Sequence, residues 1–207
     1  MLKINEIFYS LQGESTYAGL PCVFIRLAQC NLRCAYCDTQ YAYDNFYEIS
    51  TDEVLKKIEQ YNCPLVEITG GEPLLQKETL LLTKNLCDKN YKVLIETNGS
   101  LAIKDLDKRA VVIMDIKCPS SGCSQSFLEE NINFFKKIDQ VKFVIADEID
   151  YNWAKEKIKK YALQNLAEII FSPVFGKIEP SILAQWILRD KINVRLQVQL
   201  HKVLNVK

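Results

Sequence analysis

The chain lacks several features that would place it in other classes of protein. No hydrophobic run approaches the about 20 residues that a membrane-spanning helix needs. The opening segment MLKINEIFYS does not have the pattern of a signal peptide. Neither sign of charge is in excess, since 26 basic residues balance 26 acidic ones, which argues against a protein that holds nucleic acid mainly through phosphate contacts. We therefore expect a cytoplasmic protein that binds neither nucleic acid nor membranes.

The sequence also gives no sign of a division into domains. It contains no internal repeat, no low-complexity segment and no linker rich in proline or glycine. A length of 207 residues is enough for one α/β core but short for two domains. We expect a single domain that spans residues 1–207.

Segments with the hydrophobic period of a strand alternate with segments that have the period of a helix. Ser50 and Glu53 form the signature of a capping box before the first helix. The predicted strands are 21–29, 64–69, 92–97, 111–117, 140–146, 167–174 and 194–200, and the predicted helices are 51–60, 74–90, 125–137, 148–163 and 179–189.

This alternation, with short connections, predicts parallel strands that are joined by crossovers. Six or seven strands in so short a chain predict an α/β fold, an open or abridged (partial) TIM-type barrel of about six parallel strands with few helices. In such barrels the chemistry lies at the carboxyl ends of the strands. Here those ends carry a cysteine cluster and the segments TGGEP, ETNG, KCPSSG, SPVFG and LHK.

The most informative segment is AQCNLRCAYCDTQ, in which Cys30, Cys34 and Cys37 have the spacing C-x3-C-x2-C. Thiolates are soft ligands that suit zinc or an iron–sulfur cluster. A closed zinc site needs four protein ligands, and electron-transfer clusters normally use four cysteines. Cys118 and Cys123 could supply a fourth ligand from another loop. Without it, one iron of a cluster stays open to a ligand that is not part of the protein.

This triad, with Tyr36 before its last cysteine, resembles the signature of the radical S-adenosylmethionine (SAM) superfamily. TGGEPLL resembles the glycine-rich segment that contacts the amino group of SAM, where glycine lets the backbone approach a ligand closely. The resemblance implies a [4Fe–4S] cluster whose fourth iron binds SAM. An electron from the cluster then cleaves SAM and releases a 5′-deoxyadenosyl radical, so that the cofactor supplies the difficult chemistry.

The whole chain is similar to the 7-carboxy-7-deazaguanine synthase family, radical SAM lyases of queuosine and deazapurine biosynthesis. The matching segments include SLQGE, PCVFIRL, CDT, EITGGEPLLQ, ETNGS, DIKCPSSG, KFVI, SPVFG and RLQVQLHK. The resemblance implies a radical SAM core and the ring contraction of 6-carboxy-5,6,7,8-tetrahydropterin with loss of ammonia. It also implies Mg²⁺, an external electron donor of the flavodoxin or ferredoxin type, and a homodimer.

The resemblance assigns binding roles by motif, and it assigns no catalytic residue because SAM supplies the radical. Cys30, Cys34 and Cys37 are expected to bind the cluster, and Thr39 is expected to bind Mg²⁺. The residues expected to contact the substrate are Leu11, Gln12, Gly13, Glu14, Arg26, Thr69, Glu96 and His201. The residues expected to contact SAM are Tyr36, Cys37, Asp38, Gly71, Glu72, Lys117, Cys118, Pro119, Ser120, Ser172, Pro173, Val174 and Phe175.

Chemistry agrees with several of these roles. The carboxylate of Glu14 can accept from the ring amino and N–H groups, and the fork of Arg26 suits the substrate carboxylate. A carboxylate at the end of a strand, such as Glu96, would be costly to bury without a partner. His201, the one histidine, is expected near the substrate carboxylate.

The sequence leaves two alternatives open. One is a glycyl-radical-enzyme activase of the same superfamily, which would act on a large protein through an open groove. The other is a zinc or iron–sulfur module without catalytic activity. The chain also departs from the family at Ser15, where glycine is frequent, and in its last residues, VLNVK.

Overall fold

A computed structural model describes all residues, 1–207. Nine strands form one sheet in the order β3-β1-β2-β4-β5-β6-β7-β8-β9. The strands are β1 (Leu2–Leu11), β2 (Pro21–Leu27), β3 (Tyr47–Ile49), β4 (Leu65–Gly70), β5 (Lys92–Thr97), β6 (Val111–Asp115), β7 (Gln140–Ile145), β8 (Glu168–Pro173) and β9 (Arg195–Leu196). The helices are α1 (Thr51–Glu59), α2 (Glu78–Asp88), α3 (Glu148–Tyr161), α4 (Pro180–Asp190) and α5 (Leu200–Leu204).

The predicted abridged parallel barrel is confirmed. Seven strands, β2 and then β4 to β9, pair with their neighbours in parallel. β1 and β3 extend one edge of this sheet in antiparallel fashion and were not predicted. The predicted capping box at the start of α1 is also present, because the backbone N–H of Glu53 donates to the Ser50 hydroxyl and that of Ser50 to the Glu53 carboxylate.

Two predicted helices are wrong over part of their length, and side chains bonded to distant backbone explain both. The segment 125–137 contains only a short 3₁₀ helix, Glu129–Phe134, since the Asn131 amide bonds the backbone of residues 99–103. The helix predicted over 74–90 starts late, at Glu78, because Gln76 bonds the backbone of Lys3 instead of continuing a helix. Such side-chain bonds compete with helix formation.

The last predicted strand, 194–200, is also shorter than expected. Only Arg195–Leu196 pairs with β8, and the chain then turns into α5 from Leu200. His201 therefore lies in a helix and not at the end of a strand.

The two faces of the sheet differ in chemistry. On β7, Phe143 packs edge-on against Trp153 of α3 and Phe171 of β8, within the hydrophobic core. The next residue toward the amino end, Lys142, points to the opposite face because side chains alternate along a strand, and it lines a cavity. No helix is long and apolar enough to span a membrane.

Candidate active site

The inner face of the sheet encloses a cavity of about 740 Å³. The carboxyl ends of β4, β5 and β6 open into it, together with the loop after β2 and the last residues of the chain. All eight residues expected to contact the substrate line this cavity, as do Thr39 and the three cysteines of the triad. The sequence therefore identified residues that the fold brings to one place.

The cysteine loop is held by backbone hydrogen bonds that leave its thiols at the cavity. The N–H of Ala35 donates to the carbonyl of Ser121 at 2.9 Å, and that of Cys37 donates to the carbonyl of Cys34 at 3.2 Å. The thiols of Cys30, Cys34 and Cys37 are half-buried and free. Two N–H groups face the Cys30 sulfur, from the Leu32 backbone at 3.4 Å and the Asn98 amide at 3.8 Å.

This donor set fits an iron–sulfur cluster better than a single metal ion. No three His, Cys, Asp or Glu side chains converge closely enough to hold one ion, as a zinc site would require. In a cluster each cysteine binds a different iron, so the sulfurs need not converge on one point. N–H groups directed at a ligand sulfur are also the kind of contact that tunes such clusters.

The glycine-rich segment lies against the start of the cysteine loop. A β-carbon on Gly71 would lie 2.5 Å from the carbonyl carbon of Gln29, and one on Gly70 would lie 2.5 Å from the Leu27 nitrogen. Gly70 also has a φ of +139°, which side chains disfavour. Both glycines are needed for this close approach of backbones, whatever they contact in a ligand.

Glu72, which the resemblance places near SAM, lies beneath the cavity lining and not at its surface. It is fully buried and does not line the cavity. Its carboxylate accepts hydrogen bonds from the Leu74 N–H at 3.0 Å, the Thr97 hydroxyl at 2.8 Å and the Asn98 N–H at 2.7 Å. Burial raises the pKa of Glu72, although these bonds oppose the shift. Glu72 thus fixes the turn after β5, which carries Asn98 to the Cys30 sulfur.

The loops expected to contact SAM reach the cavity only in part. Tyr36, Cys37, Asp38, Gly71, Lys117, Val174 and Phe175 line it, whereas Glu72, Cys118, Pro119, Ser120, Ser172 and Pro173 do not. The Cys118 thiol is buried, and burial raises its pKa well above the ordinary value. The Ser120 N–H donates to the Asp150 carboxylate at 3.0 Å, which anchors this loop to the start of α3.

The floor of the cavity is a network of charges around Lys142, which the sequence analysis did not single out. The Lys142 Nζ lies 2.7 Å from Glu14 Oε2, 2.5 Å from Glu96 Oε1 and 3.6 Å from Asp115 Oδ2. Asp115 also pairs with Lys117 at 2.8 Å. Burial alone would raise the pKa of Asp115, but these two lysines lower it below its ordinary value.

Glu67 is a further buried carboxyl group of this network. The Gln12 amide donates to it, while the Gln12 oxygen accepts from the Glu14 N–H at 2.9 Å. Burial, reinforced by the negative charges of Glu96 and Glu14, raises the pKa of Glu67 well above its ordinary value. A signal for Glu67, Asp115 and Lys142 existed in the sequence, since each is a charged residue inside a hydrophobic strand.

The mouth of the cavity is formed by both ends of the chain. Leu200 N–H donates to the Gly13 carbonyl at 2.9 Å, and the Gln199 amide donates to Glu14 at 2.8 Å. Glu6 accepts from Arg26 at 2.9 Å and also pairs with Lys207. Arg26 is therefore not an ordinary surface residue, since its side chain is 17% exposed and lines the cavity.

Comparisons with known proteins agree with this arrangement. Residues 25–119 match the Radical SAM superfamily. The chain is 46% identical to the 7-carboxy-7-deazaguanine synthase of Chlorobaculum tepidum, over 98% of this chain and 94% of that protein. It is 42% identical to the one of Koribacter versatilis, over 98% and 96%. The crystal structure of QueE from Escherichia coli superposes with a TM-score of 0.82 at 23% identity, over 97% of this chain and 94% of that chain, and so supports the fold.

An abridged parallel barrel with three free thiols lining its cavity, together with the superfamily match, defines a radical SAM enzyme. The relatives that match over nearly their full length make this more specific. The chain belongs to the 7-carboxy-7-deazaguanine synthase family.

Proposed function

We propose that this chain converts 6-carboxy-5,6,7,8-tetrahydropterin to 7-carboxy-7-deazaguanine, with loss of ammonia, as a radical SAM lyase in queuosine or deazapurine biosynthesis. One observation carries the proposal: all eight residues expected to contact the pterin line the same cavity as the cysteine triad. The names of the full-length relatives support the same reaction.

The polar edge of the pterin would bind on the floor of the cavity. Its amino and ring N–H groups are donors, and the carboxylates of Glu14 and Glu96 are acceptors. Thr69 donates to Glu96 at 3.0 Å and so fixes that carboxylate from the neighbouring strand. Gln12, held by Glu67 and by the backbone of Glu14, presents its remaining amide hydrogen.

The substrate carboxylate would bind nearer to the mouth. The terminal nitrogens of Arg26 remain for a carboxylate, because its bond to Glu6 uses only Nε. His201 also lines the cavity. Thr39 donates to Asp38 at 2.9 Å, which leaves the lone pairs of its hydroxyl for Mg²⁺. A hydroxyl is a weak ligand, so substrate and water would complete the shell of the cation.

Cys30, Cys34 and Cys37 would hold the [4Fe–4S] cluster, with SAM on the iron that lacks a cysteine. Bound there, cluster and SAM supply the radical that takes the hydrogen at C6 of the substrate. The residues of this chain would orient the substrate and limit the access of water, since residues of α5 and residues 206–207 line the cavity. We also infer one radical SAM domain over 1–207, a homodimer, and an external donor of the flavodoxin or ferredoxin type.

The two alternatives are less well supported. An activase would need an open groove for a protein substrate, whereas this cavity is crossed by the end of the chain and has buried charges on its floor. A metal-binding module without catalytic activity would not need the charged side chains of Lys142, Glu14 and Glu96 inside a cavity.

The proposal is tested by an anaerobic reaction of the reconstituted protein with reductant, SAM, Mg²⁺ and 6-carboxy-5,6,7,8-tetrahydropterin. We expect mass spectrometry to detect 7-carboxy-7-deazaguanine with the wild type and none with Cys30→Ala. If a wild-type sample with intact cluster cleaves SAM but forms no such product, the chain is a radical SAM enzyme with another substrate. One zinc per chain that persists in air would contradict the cluster itself.

A further inference from the structure

Lys142 is a buried cation to which the motifs of the sequence give no role. It lies in the middle of β7 on the inner face of the sheet, and its side chain is only 5% exposed. Its ammonium group lies 2.7 Å from Glu14 and 2.5 Å from Glu96. These two carboxylates come from different parts of the chain, the loop after β1 and the end of β5.

The charged groups around Lys142 come from every wall of the cavity. Asp115 at the end of β6 is 3.6 Å away, but it has its own partner in Lys117 at 2.8 Å. Glu67 of β4 is bonded to Gln12. Asp38 pairs with Lys202 at 2.7 Å, and His201 packs on Gly13. Neither Glu14 nor Glu96 has any ion-pair partner except Lys142.

Without a cation, the negative charges of these two carboxylates, which are only 19% and 27% exposed, would repel each other with little water to screen them. Burial raises the pKa of Glu14, but the charge and hydrogen bond of Lys142 outweigh this and lower it below its ordinary value. Burial would likewise lower the pKa of Lys142, but Glu14 and Glu96 raise it well above its ordinary value. A carboxyl group that gained a proton would lose acceptor capacity for the N–H groups of a ligand.

We propose that Lys142 is a positioning residue for substrate binding, which balances the charge of Glu14 and Glu96 and holds the two carboxylates at a fixed separation beneath the pterin. This inference rests on the proposed function and specifies how its site selects a ligand. Asp115 is balanced by Lys117, and burial raises the pKa of Glu67 well above its ordinary value. One ammonium therefore faces the two carboxylates of Glu14 and Glu96, and negative charge remains on the floor. The floor therefore favours a ring edge that presents protons, such as an amino group beside a ring N–H, over an edge that presents only carbonyl oxygens.

The test compares Lys142→Met and Lys142→Arg with the wild type and with Lys104→Met, which removes an exposed lysine. KM and kcat for 6-carboxy-5,6,7,8-tetrahydropterin are measured from about pH 6 to pH 8.5, where a normal Glu is ionised throughout. We expect Lys142→Met to raise KM about tenfold or more, the effect of about one pKa unit or one lost charged hydrogen bond. We expect kcat to change less.

The pH profile separates this role from a merely structural one. In Lys142→Met the burial of Glu14 loses the strongest charge that opposes it, so the pKa of Glu14 rises and KM falls as the pH increases. The wild type, Lys142→Arg and Lys104→Met should share one KM profile over this range, so that only the additional slope of Lys142→Met is assigned to Glu14. A KM for Lys142→Met that equals the wild type, or that is raised equally at every pH, would overturn the inference.

A second variant keeps the test decisive if Lys142→Met folds poorly, because that substitution leaves the two partly buried carboxylates without an ion-pair partner. In Lys142→Met/Glu96→Gln only one of them can carry a charge. We expect this variant to have a higher melting temperature than Lys142→Met and a flatter KM profile. An equal or lower melting temperature would contradict charge balance by Lys142. If the wild type itself does not convert the pterin, the proposed function is contradicted instead. That outcome is measured on the wild type alone and does not depend on any Lys142 variant.

Discussion

The imidazole ring of His201 packs directly on the α-carbon of Gly13. A β-carbon at position 13 would lie 2.7 Å from Cγ of the ring, and the adjacent Leu200 N–H bonds the Gly13 carbonyl. Residues from the two ends of the chain thus form one wall of the cavity. Position 13, in the segment SLQGE, must be glycine to make room for the His201 side chain, 188 positions later. The segment SLQGE alone gives no indication of this requirement.

Gly13→Ala is expected to displace His201 from the cavity. KM for the pterin should rise about tenfold, as for loss of a hydrogen bond to a charged group, while iron content and SAM cleavage without substrate stay unchanged. The same substitution in a His201→Ala background should have little further effect. Equal effects of Gly13→Ala in both backgrounds would show that the glycine acts independently of the histidine.

Asn98→Ala is expected to lower the reduction potential of the cluster. The Asn98 amide donates to the Cys30 sulfur at 3.8 Å, and its orientation is fixed because its oxygen accepts from Ser100 N–H. An N–H donor stabilises the more negative, reduced cluster. A bond worth about 1 kcal/mol corresponds to roughly 40 mV for one electron.

The potential is measured by redox titration followed by electron paramagnetic resonance. Ser100→Ala is the matched control, since it removes the acceptor of Asn31 but leaves the Asn98 amide in place. If both variants have the wild-type potential, the Asn98 contact does not tune the cluster.

Glu72→Gln is expected to destabilise the fold. Both oxygens of Glu72 accept from donors, so an amide NH₂ in place of one oxygen would face a donor. The free energy of unfolding should fall by about 2 kcal/mol, and the melting temperature by about 4–8 °C. Glu78→Gln, at an exposed position, should change stability by less than about 0.5 kcal/mol. Similar melting temperatures for the two variants would show that the three hydrogen bonds to Glu72 do not stabilise the fold.

Lowering the pH is expected to weaken the attachment of residues 200–207 to the rest of the fold. Burial raises the pKa of Glu6, but its bonds and charge pairs with Lys207 and Arg26 outweigh this and lower it below its ordinary value. A carboxyl group whose pKa is lower in the folded protein than in the unfolded chain stabilises the fold at any pH above the unfolded-state pKa. This contribution is lost as the pH falls through the folded-state pKa.

Hydrogen exchange at residues 200–207 can measure this loosening. At neutral pH Glu6→Gln should exchange faster there than the wild type, and the difference should vanish as the pH falls through the lowered pKa of Glu6. A difference that persists unchanged in acid would exclude the Glu6 carboxylate as the cause.

The parts of the molecule that could be predicted from the sequence are those encoded locally. The cysteine spacing, the capping box at Ser50 and the polar residues at strand ends each have a short-range signal, and the parallel order of strands follows from their alternation with helices. The resemblance then gave the residues that are proposed to bind the substrate, and the fold brings all eight of them to one cavity.

The parts that could not be predicted depend on partners far along the chain. Asn131 prevents a helix because it bonds a loop about 30 residues earlier. Lys142 lies in a strand whose pattern is hydrophobic, and only the topology brings it to Glu14, 128 positions away. Glu72 lies in a segment that matches the family. Its oxygens nevertheless accept hydrogen bonds from backbone and hydroxyl donors, two of which, at Thr97 and Asn98, lie outside that segment.

The most direct test of the central claim uses 6-carboxy-5,6,7,8-tetrahydropterin deuterated at C6, in excess over SAM, under anaerobic conditions. The account predicts more 7-carboxy-7-deazaguanine than SAM consumed, with deuterium in the SAM that is recovered, because hydrogen is taken from C6 and the cofactor is regenerated. Cleavage of SAM to unlabelled 5′-deoxyadenosine, with no 7-carboxy-7-deazaguanine, would contradict it.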